Sequence, residues 1–209
     1  MNIEELPTLP LPIDALPAEI HRFAKPDAPA AARMMAARGA VPITGPLQVV
    51  LLSQLAHADD ESVRETARST LSSLPEQLLH DALKADLHPS ILDFLAEHFA
   101  ERAELLEPLI SNPALADATA LRIARFGPSS IIERLALNQA RLLRAPALIE
   151  ALYKNKNLKM STADRLIEFA ARNELDLVGI PAYRAHVEAL KGQLIPEPLD
   201  DEEDRKSVV

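Results

Sequence analysis

Pro, Gly, Asn and Asp break this chain into apolar-periodic segments of roughly 9 to 14 residues, a length at which an isolated helix is marginal in water. Such segments hold their shape only by packing on one another. The punctuation is regular. Asp27 with Pro29 opens one segment and Gly39 closes it; Thr44 with Pro46 opens a second, carrying Leu47, Val50, Leu51 and Leu55. Asp59 or Asp60 caps a third, with Val63, Ala67, Thr70, Leu71 and Leu74 at helical spacing. Pro75 starts a segment with Leu78, Leu79, Ala82 and Leu83, and Pro89 starts one with Leu92, Leu95 and Phe99. Further helices are predicted at 102–110, 115–126, 129–137, 145–153, 161–172 and 181–191. Ser161 or Thr162 begins the 161–172 helix, with Asp164 in its first turn, where the helix dipole favours an acid.

Ala and Leu are the commonest residues, aromatic residues make up 3% of the chain and there are only 5 Gly, so strands, tight hairpins and phosphate-cradling loops have little raw material. The predicted fold class is all-α. The 22 basic and 31 acidic residues give a net charge of −9, which argues against a body built to bind polyanions. With no cysteine there is no disulfide, thiolate nucleophile or Cys-ligated metal. No run approaches the roughly 18 to 20 apolar residues of a membrane span, and MNIEELPTLP is too acidic and proline-broken for a secretory signal. A cytoplasmic protein without membrane insertion is expected.

Three regions follow. Residues 1–13 read as an extended Pro-rich arm, residues 14–193 as a helical repeat domain with its repeat core at about 46–191, and residues 194–209 as an acidic disordered tail. The repeat signal is a period of 27. Phe99, Phe126 and Tyr153 are 27 apart, as are Phe94, Leu121 and Leu148; Leu78, Leu105 and Ile132; and Leu83, Ile110 and Leu137. Because aromatic residues are scarce, the first column carries the most weight, and its members are expected in the core. The period fades at both ends, as terminal units with one polar face should. The expectation is an α-solenoid of about five stacked helix pairs with divergent terminal units.

At Asp59 or Asp60, Val63-Arg64 and Ala67 the chain resembles HEAT-like repeats and the related leucine-rich-repeat variants, which place an Asp, a Val-Arg pair and an Ala at similar spacing in one repeat helix. The match covers one unit. The resemblance implies a helical solenoid used for binding and supplies no catalytic residues.

No nucleotide loop, nucleophile elbow or zinc-protease motif occurs. His80-Asp81 resembles the metal-binding pair of HD-type phosphohydrolases, with His57 and Asp117 or Asp164 as the remaining nominees; the Leu78, Leu79, Ala82 and Leu83 pattern turns that pair away from the buried face. No catalytic residue, cofactor or metal is therefore assigned, and the chain is expected not to be an enzyme. His98 falls in the repeat frame opposite Arg125 and is expected on the surface, while Asn112, Asn138, Asn155 and Asn157 are expected as turn and cap residues.

Charge is distributed unevenly. Residues 47–121 hold 13 acidic and 4 basic side chains, residues 122–172 hold 10 basic and 4 acidic. Arg122, Arg125, Arg141, Arg144, Lys154, Lys156 and Lys159 form a candidate partner-binding basic face. The expected partner is another protein with an acidic surface, the acidic tail being one candidate. Nucleic acid or another anion is the alternative, disfavoured by the scarcity of stacking aromatics and the overall charge. The tail, LIPEPLDDEEDRKSVV, also ends in Lys-Ser-Val-Val, which looks like the C-terminal peptides captured by PDZ domains. The overall expectation is a non-enzymatic interaction module or scaffold.

Overall fold

Residues 6–180, together with Tyr183 and Val187, are described in a computed structural model of the chain. The punctuation places the helices. Two single-turn 3-10 segments, Ile13–Ala15 and Ala18–Ile20, lead into α1 (His21–Ala24), α2 (Ala30–Ala37), α3 (Pro46–Leu55), α4 (Glu61–Ser73), α5 (Glu76–Lys84) and α6 (Pro89–His98). Then follow α7 (Ala103–Ile110), α8 (Asp117–Phe126), α9 (Ser129–Leu135), α10 (Gln139–Arg144), α11 (Ala147–Lys154) and α12 (Met160–Arg172). No strand occurs among the described residues, and no described helix is long and apolar enough to cross a membrane. Of the predicted helix at 181–191 only Tyr183 and Val187 are described, both helical, and the acidic tail 194–209 lies outside the described residues.

Local chemistry explains the ends. Asp60 caps α4 by accepting hydrogen bonds from the Ser62 and Val63 amides, and Arg64 and Arg68 donate to the Ala58 and Ala56 carbonyls of the turn before it. Val63 and Ala67 are buried, so each member of the Asp, Val-Arg, Ala pattern has a structural task. Gly39 closes α2 at φ +69, its amide donating to the Ala36 carbonyl and the Ala40 amide to the Met35 carbonyl; only glycine takes this left-handed turn without strain. From Leu6 to α1 the described chain has only the two 3-10 turns, and Gln54 of α3 pins it, donating to the Leu11 carbonyl (2.6 Å) and accepting from the Leu11 amide (2.9 Å). Leu11 is buried, so this stretch lies on α3.

Two rows of packed helices run along the chain. α3 packs on α5, α5 on α7 and α7 on α9; α6 packs on α8 and α8 on α11. One core cluster runs continuously from Leu11 to Tyr183. In the α6–α8–α11 row, Leu92, Leu95, Ala96 and Phe99 are matched one repeat on by Ala120, Ile123, Ala124 and Gly127, and a repeat further by Leu148, Ala151, Leu152 and Asn155; all are buried. Both steps in this row are one position longer than the period of 27. In the α5–α7–α9 row, Leu79, Ala82 and Leu83 recur at that period as Leu106, Leu109 and Ile110, then one position early as Ile132, Leu135 and Ala136, again all buried.

A single period of 27 is thus an average over two rows with different spacings, and two of its four columns fail. Phe99 is 3% exposed, but Phe126 is 80% and Tyr153 40% exposed, each falling short of the buried column through Gly127 and Asn155. Leu137 is 62% exposed for the same kind of reason, the buried successor of Ile110 being Ala136. Leu105 and Ile132, and Leu121 and Leu148, are buried as expected, with Leu78 and Phe94 partly so.

Candidate interaction surface

The basic block has to be read together with the carboxylates that precede it by one repeat. Asp93 of α6 accepts from the Thr119 hydroxyl and from Arg122 (2.8 Å), both on α8. Glu107 of α7 pairs with Arg134 of α9 at 2.7 Å. Asp117, at the start of α8, takes Arg141 (2.6 Å) and both a 2.8 Å Nε and a 2.8 Å Nη2 bond from Arg144 of α10. Glu133 of α9 accepts from the Lys159 amide (2.9 Å) and the Thr162 hydroxyl (2.6 Å), so it caps α12 from a neighbouring helix. Glu150 of α11 accepts from the Gly179 amide at 2.9 Å. In each case the acid comes first in the chain and the donor follows it by about one repeat. Three carboxylates of the acidic 47–121 segment, Asp93, Glu107 and Asp117, thus hold four arginines of the basic 122–172 segment, displaced by a repeat.

Arg141 is the innermost of these cations. Its side chain is 6% exposed and also donates to the Leu115 carbonyl at 2.9 Å. Burial pushes its pKa down against the pull of Asp117. The hydrogen bond from Arg144, opposed by burial and helped by the charges of Arg141 and Arg144, holds Asp117 below the usual carboxylate range. Glu133 is likewise held low: burial opposes this, and the Thr162 hydroxyl, the Lys159 amide and the nearby Lys159 and Arg165 outweigh it. Two buried asparagines do the same joining work without charge. Asn112 donates to the Leu83 and Ala85 carbonyls of the α5 end, and Asn155 to the Ala124 and Gly127 carbonyls of the α8 end. Asn138 caps α10 through the Arg141 amide.

The seven predicted face residues therefore do not form one face. Arg141 is inside the protein, and Arg122 and Arg144 hold internal carboxylates. Lys159 lines an open groove of about 570 Å³ between α7, α9 and α12, where Glu104, Glu107 and Glu133 balance Arg134 and Arg165. Arg125, Lys154 and Lys156 form no ion pair among the described residues and lie at the C-terminal ends of α8 and α11. Arg125 and Lys154 line a shallow depression of about 300 Å³ with Phe126, Ala147, Glu150 and Ala151. In the register of the buried columns, Arg125 is matched by Tyr153 and Phe126 by Lys154, so cation and aromatic alternate across the two helices. Their counterparts on α6 are Glu97 and His98.

The sequence reading put Phe126 and Tyr153 in the core and so missed them as surface groups. The signal that finds them is the turn, since Gly127 and Asn155, which follow the two helices, are the residues that enter the core. His98 is also displaced from expectation. It is half-buried, with its ring between Phe94 (5.4 Å) and Phe99 (4.8 Å) and its Nε2 2.9 Å from the Ser72 hydroxyl.

The nominees for metal chemistry stay apart. His80 Nδ1 is 4.0 Å from Asp81 on an exposed surface. His57 donates to the Ser53 carbonyl and stands edge-on to Phe94. Asp117 is held by two arginines, and among the described residues no three His, Cys, Asp or Glu converge. Comparison with family models, curated proteins and solved structures finds no significant match.

Proposed function

We propose that this chain is an α-solenoid that works as a protein-interaction module, and that the α8–α11 edge, with Arg125, Phe126, Tyr153, Lys154 and Lys156, receives an acidic segment of a partner protein. The solenoid reading is supported by two rows of helices, α3–α5–α7–α9 and α6–α8–α11, each packed on the next in its row, by buried columns that repeat at near-constant spacing, and by the forward-pointing carboxylate latches. The observation that carries the function is local. Arg122, Arg134, Arg141 and Arg144 hold carboxylates of neighbouring helices, whereas Arg125 and Lys154 line a shallow depression with a phenyl ring that is 80% exposed. An exposed aromatic set among cations gives an acidic chain both charge complementarity and an apolar anchor. The plain alternative is that the two cations serve the carbonyl ends of α8 and α11; that accounts for their charge but not for the ring between them.

The test is affinity capture with the full chain and with the triple variant Arg125→Glu, Lys154→Glu, Lys156→Glu. The reading predicts that acidic proteins captured by the first are lost with the second. An unchanged set of captured proteins would overturn it. A labelled single-stranded oligonucleotide, titrated at several salt concentrations, should not bind; tight binding with a steep salt dependence would move the reading to nucleic acid.

A further inference from the structure

We propose that the acidic segment Glu197–Asp204 of this same chain docks on the Arg125, Phe126, Lys154 and Lys156 edge and competes there with outside partners. The inference rests on the reading of that edge as a docking face for acidic segments, and names its resident competitor.

Charge complementarity comes first. Glu197, Asp200, Asp201, Glu202, Glu203 and Asp204 put six carboxylates into eight positions, with Leu199 among them. The depression sets Arg125 and Lys154 beside an exposed phenyl ring, with Glu150 on its wall and Lys156 two positions beyond Lys154, so acid and apolar groups in the segment find their complements in one small area. Second is reach. The Gly179 amide donates to Glu150, which lines the same depression as Arg125 and Lys154, so the chain passes this edge as it approaches its last described residues. Val187 packs against the core, and the stretch from there to Glu197 spans up to about 35 Å when extended. α11 is only about 12 Å long. A tether whose reach covers the separation would hold the segment near the edge at an effective concentration of about a millimolar, enough to compete with a free partner of moderate affinity.

Two measurements on the full chain test this. In the first, a zero-length carbodiimide cross-linker joins lysines to carboxylates at low salt, and a mixture of 15N-labelled and unlabelled chains separates links within one chain from links between copies. Links from Lys154 or Lys156 to residues 197–204 within one chain are expected, in preference to Lys25, Lys84 or Lys159, and are expected to vanish at about 0.5 M salt. Links found only between copies, or no preference for Lys154 and Lys156, would overturn the proposal. In the second, a synthetic peptide of residues 194–209 is titrated onto the full chain and onto the variant Asp200→Asn, Asp201→Asn, Glu202→Gln, Glu203→Gln, Asp204→Asn. At least tenfold tighter binding to the variant is expected. Equal binding to both, abolished by Arg125→Glu with Lys154→Glu, would overturn the internal contact while leaving the docking face in place. Binding to neither would overturn both.

Discussion

Phe99 and Phe126 hold the same place in the period of 27, at the ends of neighbouring helices in one row, yet Phe99 is buried and Phe126 is among the most exposed apolar side chains described. The difference lies in the turns. Phe99 has left the helix, with φ −109 and ψ 25, and a short turn to Ala103 lets its ring swing under α6, where His98 stands edge-on to it and Arg102 lies over its face at 5.5 Å. Phe126 is still the last residue of α8, and Gly127-Pro128 leads at once into α9. There Gly127 takes the inward position, its amide closing on the Ile123 carbonyl. One residue of phase, about 100° around a helix, turns a core residue into a surface one.

The largest expected effect makes that contrast quantitative. Phe99→Ala should cost about 3–5 kcal/mol, while Phe126→Ala should stay within about 0.5 kcal/mol, both read from urea unfolding midpoints. Comparable losses at the two positions would mean that Phe126 is packed after all, and would remove the basis for the docking edge. Gly127 tests the same register from the other side. A Cβ there would lie 2.6 Å from the Ile123 carbonyl oxygen, a backbone atom that cannot move aside, so Gly127→Ala should destabilise by about 1–3 kcal/mol.

Much of this architecture is legible in the sequence because helix ends are written in local chemistry. Asp60, Pro46, Pro89 and Gly39 act within one turn of where they stand, and they place α2, α3, α4 and α6 closely. α10 is not legible: so short a segment, with a single buried leucine and an asparagine cap, looks like the turn between two longer helices. The repeat is legible as a period but not as a phase. The two rows step at slightly different spacings that blur into one average, and slipping by a single position reverses burial. The latch is the least legible feature. A carboxylate and a guanidinium a repeat apart carry no local mark of being partners, so the sequence presents a charge asymmetry, and only the packing shows that Asp93, Glu107 and Asp117 are held by arginines of the basic segment.

A second contrast, within the block itself, is the next in size. Arg141 and Arg144 share Asp117, but one is buried and the other 59% exposed. Arg141→Ala strands the Leu115 carbonyl and leaves Asp117 half-served, at an expected cost of about 2–4 kcal/mol. Arg144→Ala should cost less than about 1 kcal/mol, since solvent screens its share. Asn155→Ala, which orphans two carbonyls at the end of α8, should fall between them at about 2 kcal/mol. Equal losses at Arg141 and Arg144 would show that burial does not rank the latches.

The smallest effect concerns His98, which stands where Phe126 stands in the next repeat. Burial, followed by the positive charge of Arg68, lowers its pKa below the ordinary 6.5. The neutral ring is therefore the form the fold accommodates, packed between Phe94 and Phe99 and bonded to Ser72. Because the folded-state value lies below the unfolded one, stability is full above about 6.5 and falls as the pH drops from there through the folded-state value. His98→Gln keeps a polar group near Ser72 but cannot take up the proton, so urea midpoints measured between about pH 7.5 and 5 should fall less steeply for the variant than for the parent chain. Parallel curves would mean that the other histidines carry the acid sensitivity and that His98 lies as open to water as its counterpart Phe126. The two ends of α6 and α8 would then differ only at Phe99.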